Sequence, residues 1–199
     1  MKAMRTEILL TLCSSLMLAA VSGGARTPQS RAEGREGEPQ FQSFPADVWA
    51  GRPVPVNLRS HRLARTYRTL LRQQQREEGI NFAGRYTLAT VGCGTGCSVT
   101  AFIDARDGRA HFPRELNGWT GIVGDYDPPE GEDTWEWRAD SRLLRLVGRP
   151  NVGREGEERY GPSGIYHYEW TGARLRLVKF RHVGSYPETD PPTPRGARR

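Results

Sequence analysis

Among 199 residues the chain has three cysteines, three methionines and two lysines, and one long apolar run. That run, Ile8 to Val21, is 14 residues long, short of the roughly 20 that a spanning helix needs, so no membrane span is expected. No segment repeats with a period of 20 to 50 residues, which excludes a solenoid. C-x-x-C, G-x-S-x-G, H-E-x-x-H, the phosphate-loop lysine and the dinucleotide fingerprint are all missing, so none of the chemistries that those motifs mark is signalled. What is present is 36% hydrophobic residues, 26% charged residues, 23 glycines and 14 prolines. That composition is too apolar for a disordered chain and describes a turn-rich globule.

The N-terminus reads as an address. Lys2 and Arg5 precede the apolar run, and Ser22, Gly23, Gly24 and Ala25 follow it, the layout of a secretory signal peptide over residues 1–25. Cleavage is expected after Ala25, although Ser22 also satisfies the small-residue rule. Cys13 does not make a lipoprotein site, because Leu12 stands where a small residue is wanted. A periplasmic or secreted location follows. Removing the signal takes Lys2, Arg5 and Glu7 from 29 basic and 23 acidic residues, leaving 27 against 22 and a net charge of +5. The remaining basicity is almost entirely arginine, spread along the chain among Glu and Asp. This interspersion fits a GC-rich coding bias and gives no nucleic-acid patch.

Residues 26–40 carry almost no large apolar side chain and are expected to form a flexible leader, and residues 184–199 a disordered Pro/Arg tail. Residues 41–183 contain all five tryptophans and form the expected single domain. Leu63, Tyr67, Leu70 and Leu71 share a stripe that predicts an amphipathic helix from Ser60 to Glu78, stopped by Gly79. Beyond it the pattern predicts strands over Arg85–Val91, Ser98–Asp104, Ala110–Phe112, Trp135–Arg138, Leu143–Val147, Ile165–Trp170 and Leu175–Phe180. Asp107-Gly108, Thr171-Gly172 and Ala139-Asp140-Ser141 supply the turns. The expected fold is α+β, a single curved antiparallel meander of about seven strands with one packed N-terminal helix. Leu175, Val178 and Phe180 do not keep one phase, whereas Tyr166, Tyr168 and Trp170 do.

Cys93 and Cys97, in Val-Gly-Cys-Gly-Thr-Gly-Cys-Ser, are the cysteines left after signal removal. In an oxidising compartment so close a pair forms a disulfide, with Gly94 and Gly96 easing the ring. The alternative is chemistry, a thiol-redox couple or a Cu(I) site completed by His111, His167 or His182. The run Asp125 to Asp133 is acidic, but Pro128 and Pro129 break the calcium-loop spacing, so no metal or cofactor is expected. Glu115, Asp125 and Glu169 are carboxylates from which a glycosidase pair could be drawn. Arginines and aromatics favour binding surfaces, which makes Arg85, Tyr86, Thr95, Ser98, Trp119, Tyr166 and Tyr168 the candidate binding residues. Cross-strand packing is the competing role for the aromatic ones.

Four motifs occur together: Asn81-Phe82-Ala83-Gly84-Arg85-Tyr86, the Gly92-Cys93-Gly94-Thr95-Gly96-Cys97 turn, Asp140-Ser141-Arg142-Leu143-Leu144, and Tyr166-His167-Tyr168-Glu169-Trp170-Thr171-Gly172. In these the chain resembles a family of uncharacterised small secreted bacterial proteins. The family commonly has His where Arg85 stands and Trp where Val91 stands. The resemblance implies export and a β-rich fold, and no activity.

The expected function is a non-enzymatic binding module for an envelope protein, with a disulfide-pinned loop as its presentation surface. The rival class is a periplasmic enzyme, or the Cu(I) or redox protein above. Intact-mass analysis of the purified envelope form should show the loss of about 25 N-terminal residues; an unprocessed chain would contradict the signal reading.

Overall fold

Alternating residues from Tyr86 to Asp104 give a hairpin with two buried faces, and the hairpin organises the first of two sheets. β1 (Tyr86–Gly94) pairs antiparallel with β2 (Cys97–Asp104), from Tyr86↔Asp104 to Gly94↔Cys97. The other edge of β2 takes β3 (Ala110–His111) at one end and β4 (Asn117–Thr120) at the other. The second sheet is the antiparallel meander β5 (Trp135–Trp137), β6 (Leu143–Gly148), β7 (Gly164–Trp170) and β8 (Leu175–His182). The computed structural model describes residues 37–121, 124–128, 133–153 and 159–184. The expected signal peptide lies outside these, as do most of the expected leader and tail and part of the acidic run.

The antiparallel, β-rich character is as expected, but the expected α+β fold with a single sheet gives way to a mainly β chain with two four-stranded sheets and short helices. The reason is the number of large rings to bury. Tyr86, Leu88 and Phe102 from the first sheet share one cluster with Leu144, Leu146, Tyr166, Tyr168 and Trp170 from the second, together with Phe82, Leu116 and Trp119. Rings meet edge to face across it: Phe102 and Trp170 at 4.8 Å, Trp119 and Tyr166 at 5.4 Å, Tyr86 and Trp170 at 5.6 Å. Each such pair contributes about 0.5–1.5 kcal/mol beyond burial. The strand missing from the sequence reading is β4, whose Asn117-Gly118-Trp119-Thr120 carries no alternation. The phase break in β8 is a bulge: Tyr168 pairs with Leu177 and His167 with Lys179, so Val178 is the extra residue. Leu175, Leu177 and Phe180 thereby all reach the core side.

The opposite face of the first sheet, Ala89, Val91, Ala101 and Ile103, meets Ala64 and Leu71. These come from α1 (Arg62–Thr66) and α2 (Arg68–Glu78). The single expected helix is thus two, interrupted at Tyr67, whose backbone leaves the helical region (φ −97°, ψ 22°) while its half-buried ring packs on the same cluster. No helix among the described residues is long and apolar enough to cross a membrane.

α2 and the segment that follows it cover the free edge of β1 with side-chain amides. Gln74 accepts from the Thr90 N–H (2.8 Å) and donates to its carbonyl (2.7 Å), and Asn81 does the same for Leu88 (2.7 and 3.4 Å). Gln75 ties Val56 and Val54 in the same way. Each amide stands in for a neighbouring strand.

Two seams join the sheets. At one end the turn before β1 enters the turn before β6: Gly84 N–H donates to Ala139 (2.7 Å) and Ala83 N–H to Ser141 (3.2 Å). A strap of residues 41–49 crosses this seam. The Ser141 hydroxyl donates to the Phe41 carbonyl, Ala46 N–H donates to Asp140 and Trp49 N–H to Gly84. Gly84 sits at φ +79°, and a Cβ there would lie 2.3 Å from the Asp47 carbonyl oxygen, so only glycine fits. At the other end Thr120 and Arg149 exchange both backbone hydrogen bonds.

Gln74→Ala leaves the Thr90 backbone pair without its partners and should lower unfolding stability in denaturant by about 1–2 kcal/mol. Gln73→Ala, one residue away, exposed and bonded to exposed Glu77, should change it by less than about 0.5 kcal/mol. Equal effects would refute the edge-capping role.

Candidate functional site

The hairpin tip is the first candidate. Gly92 pairs with Ser98 and Gly94 with Cys97, which leaves Cys93 as the extra residue of a bulge. The bulge brings the Cα atoms of Cys93 and Cys97 to 5.2 Å, and the two form the expected disulfide. Every residue from Gly92 to Gly96 is exposed, while Val91 and Val99 just behind are buried. The half-buried Ser98 hydroxyl donates to the Trp119 carbonyl of β4, which ties the base of the tip to a third strand. With both sulfurs in a disulfide, neither is a thiolate ligand. His111 pairs with Phe102, five residues along β2 from Cys97, about 17 Å at strand rise. His167 lies on the second sheet and His182 at the end of β8.

The seven candidate binding residues divide by burial. Thr95 is exposed and Ser98 half-buried. Tyr86, Trp119, Tyr166 and Tyr168 are at most 4% exposed and belong to the packing between the sheets, because alternation turns them to the inner faces. Arg85 is held by its neighbours: its Nε donates to Asp104 at 2.8 Å and its guanidinium to the Tyr86 hydroxyl at 2.9 Å. The hydrogen bond with Asp104 holds the Arg85 pKa above its ordinary value. Burial lifts the pKa of both Tyr166 and Tyr168 above the ordinary value, so each is a neutral phenol.

The three carboxylates lie on three different elements. Glu169 faces outward from β7 and is clasped by Arg142 and Arg176. Burial raises its pKa, and hydrogen bonds from the two arginines outweigh that and hold it below the usual carboxylate range. Glu115 lies in the 3-10 turn Arg114–Leu116 and Asp125 in an exposed loop. Among the described residues no cluster of three or more His, Cys, Asp or Glu side chains is disposed to hold a metal.

A second candidate is a cleft of about 270 Å³ where three segments converge: Ser60 and His61 ahead of α1, Arg109 to Pro113 along β3, and Trp170 with Ala173 at the β7–β8 turn. His61 stacks on Phe112 at 4.6 Å. His111 is held edge-on between Tyr86 (6.1 Å) and Trp170 (5.5 Å). Burial, and then the Arg109 charge, lower the His111 pKa from 6.5. The Ser60 hydroxyl donates to the Asn57 carbonyl at 2.6 Å and accepts from Ala110 N–H at 3.1 Å. It anchors the wall of the cleft. Sequence reasoning named His111 but missed His61 and Arg109, since residues 50 apart in the chain give no local signal of meeting.

It also missed Glu38, which it placed in the leader. The Glu38 carboxylate, 11% exposed, lies 3.2 Å from Arg181, 3.4 Å from Lys179 and 3.5 Å from the buried His167. Cross-strand register sets three of these four groups: His167 opposes Lys179, and Arg181 follows on the same face of β8. The only local hint is the apolar Phe41 three residues on.

The His111 signal in an NMR titration should move at a pH below the ordinary value of 6.5. Because the folded pKa is the lower one, the unfolded chain takes up the proton first. The stability linked to His111 is complete above about pH 6.5 and lost as pH falls toward the folded value. A His111 pKa at or above the ordinary value would contradict this environment.

Comparisons with protein-family models, with curated proteins and with solved structures give no match for this chain.

Proposed function

We propose that this chain is an exported, non-enzymatic binding protein that presents the Cys93–Cys97 tip to a protein of the cell envelope. The observation that carries the reading is the abrupt change at one hairpin end: five consecutive exposed residues, Gly92 to Gly96, on a base of buried strand. A short rigid loop on a packed sheet loses little entropy when it docks. The signal-like N-terminus supplies the compartment. The resemblance to a family of small secreted bacterial proteins fits the same address. The enzyme reading draws on the cleft around His111, but there the serine nearest the histidines is spent on backbone bonds. The copper and thiol-redox reading would need the disulfide opened and a histidine carried to it along β2.

A photo-reactive residue at Thr95 should cross-link one envelope protein in intact cells, while the same probe at exposed Arg72 on α2 should not. Replacing both Cys93 and Cys97 by Ser should weaken binding of that protein by up to about thirtyfold. This corresponds to the roughly 2 kcal/mol of loop order that closing a five-residue ring supplies. Identical products from Thr95 and Arg72, or undiminished affinity without the disulfide, would sink the proposal.

A further inference from the structure

The cleft beside β3 lies apart from the hairpin tip. Its volume of about 270 Å³ exceeds the roughly 150 Å³ that accommodates one benzene and lies below the range of drug-sized pockets. One ring with a substituent fits that space. The apolar lining is Phe112, Pro113, Ala173 and the indole of Trp170, which is 1% exposed. His111 is fixed between two rings and neutral near pH 7, so it offers a hydrogen bond without a charge.

The charge in the lining is Arg109. The two carboxylates whose charge reaches His111 are already engaged: Asp104 accepts from Arg85 and from the Arg106 N–H, and Asp107 accepts from the Arg109 N–H at 2.8 Å. Among the described residues no ion pair uses the Arg109 guanidinium, and its charge acts on His111 more strongly than that of Asp104, Asp107 or Arg85. Arg109 is exposed and lines the cleft, and a guanidinium matches a carboxylate carried on a ring, because its fork takes both oxygens.

We propose that the cleft formed by residues 60–61, β3 and the β7–β8 turn binds a small aromatic carboxylate, with the ring against Phe112 and Ala173 and the carboxylate on Arg109. The same chemistry belongs to a free aromatic acid and to the C-terminal aromatic residue of a peptide.

Titration of the folded protein with benzoate, benzamide and N-acetylphenylalanine, followed by calorimetry and by the His111 imidazole signals, tests this. Benzoate should bind saturably and shift His111, and benzamide, which keeps the ring and loses the charge, should bind at least about tenfold more weakly. Arg109→Gln, on an exposed side chain, should cost benzoate the same factor and leave benzamide unchanged. Ala173→Phe, which narrows the cleft from an exposed turn without touching a charge, should weaken both, with near-ultraviolet circular dichroism confirming that each variant is folded. Tighter binding of N-acetylphenylalanine than of benzoate assigns the ligand to a peptide terminus, and the reverse assigns it to a free acid. Equal affinity for benzoate and benzamide, indifference to Arg109→Gln, or an unmoved His111 signal in millimolar benzoate would overturn the proposal.

Discussion

The insertion of the Phe82–Gly84 turn into the turn at 138–141 is the constraint on which the rest of the molecule hangs. Two twisted sheets share a core only if their edges are brought into register, and here backbone groups do it. Ala83 and Gly84 donate across the seam, and Ser141 answers by bonding its hydroxyl to the carbonyls of Phe41 and Phe44. Phe82, at the start of the same turn, enters the core and meets Phe102 at 4.9 Å. The rings between the sheets then fall into edge-to-face contact because their strands are already placed. Ala83 accepts a positive φ of 47° there, a strain that the hydrogen bonds on either side hold in place.

Two of the four sequence motifs, residues 81–86 and 140–144, lie on this frame. Asn81 caps the Leu88 backbone, Phe82 plugs the core, Gly84 admits the strap, and Ser141 ties it down. Arg142 bonds the strap at Pro45 and clasps Glu169. Their spacing therefore reports closure of the fold, which is why they carry no catalytic signal.

Legibility in the sequence followed the range of the interaction. The β1–β2 hairpin, the cysteine ring and the β5–β6 and β7–β8 pairs rest on neighbours across one short turn, so alternation and turn residues reveal them. The division into two sheets rests on which ring meets which across the core, and no window of the chain contains Phe102 together with Trp170. β4 is held by Ser98 and Trp119 pairing and by the Thr120–Arg149 bridge, both distant in sequence. Glu38 is the sharpest case. A carboxylate in a polar segment reads as solvated until the second sheet sets His167, Lys179 and Arg181 around it. Of the candidate site residues, those read from local turn chemistry reached the surface. Those chosen for being aromatic went to the core, because the period-two pattern that makes a strand also decides its inner face.

The amides of Gln74 and Asn81 bear on how the chain fares while it is still folding. Until they arrive, the outer rim of the hairpin is a row of open donors and acceptors onto which any passing extended segment could add. The segment that closes this rim precedes β1 in the chain, so it is synthesised first and is at hand when the hairpin forms. Order of synthesis thus shortens the interval in which the molecule could be templated into a polymer.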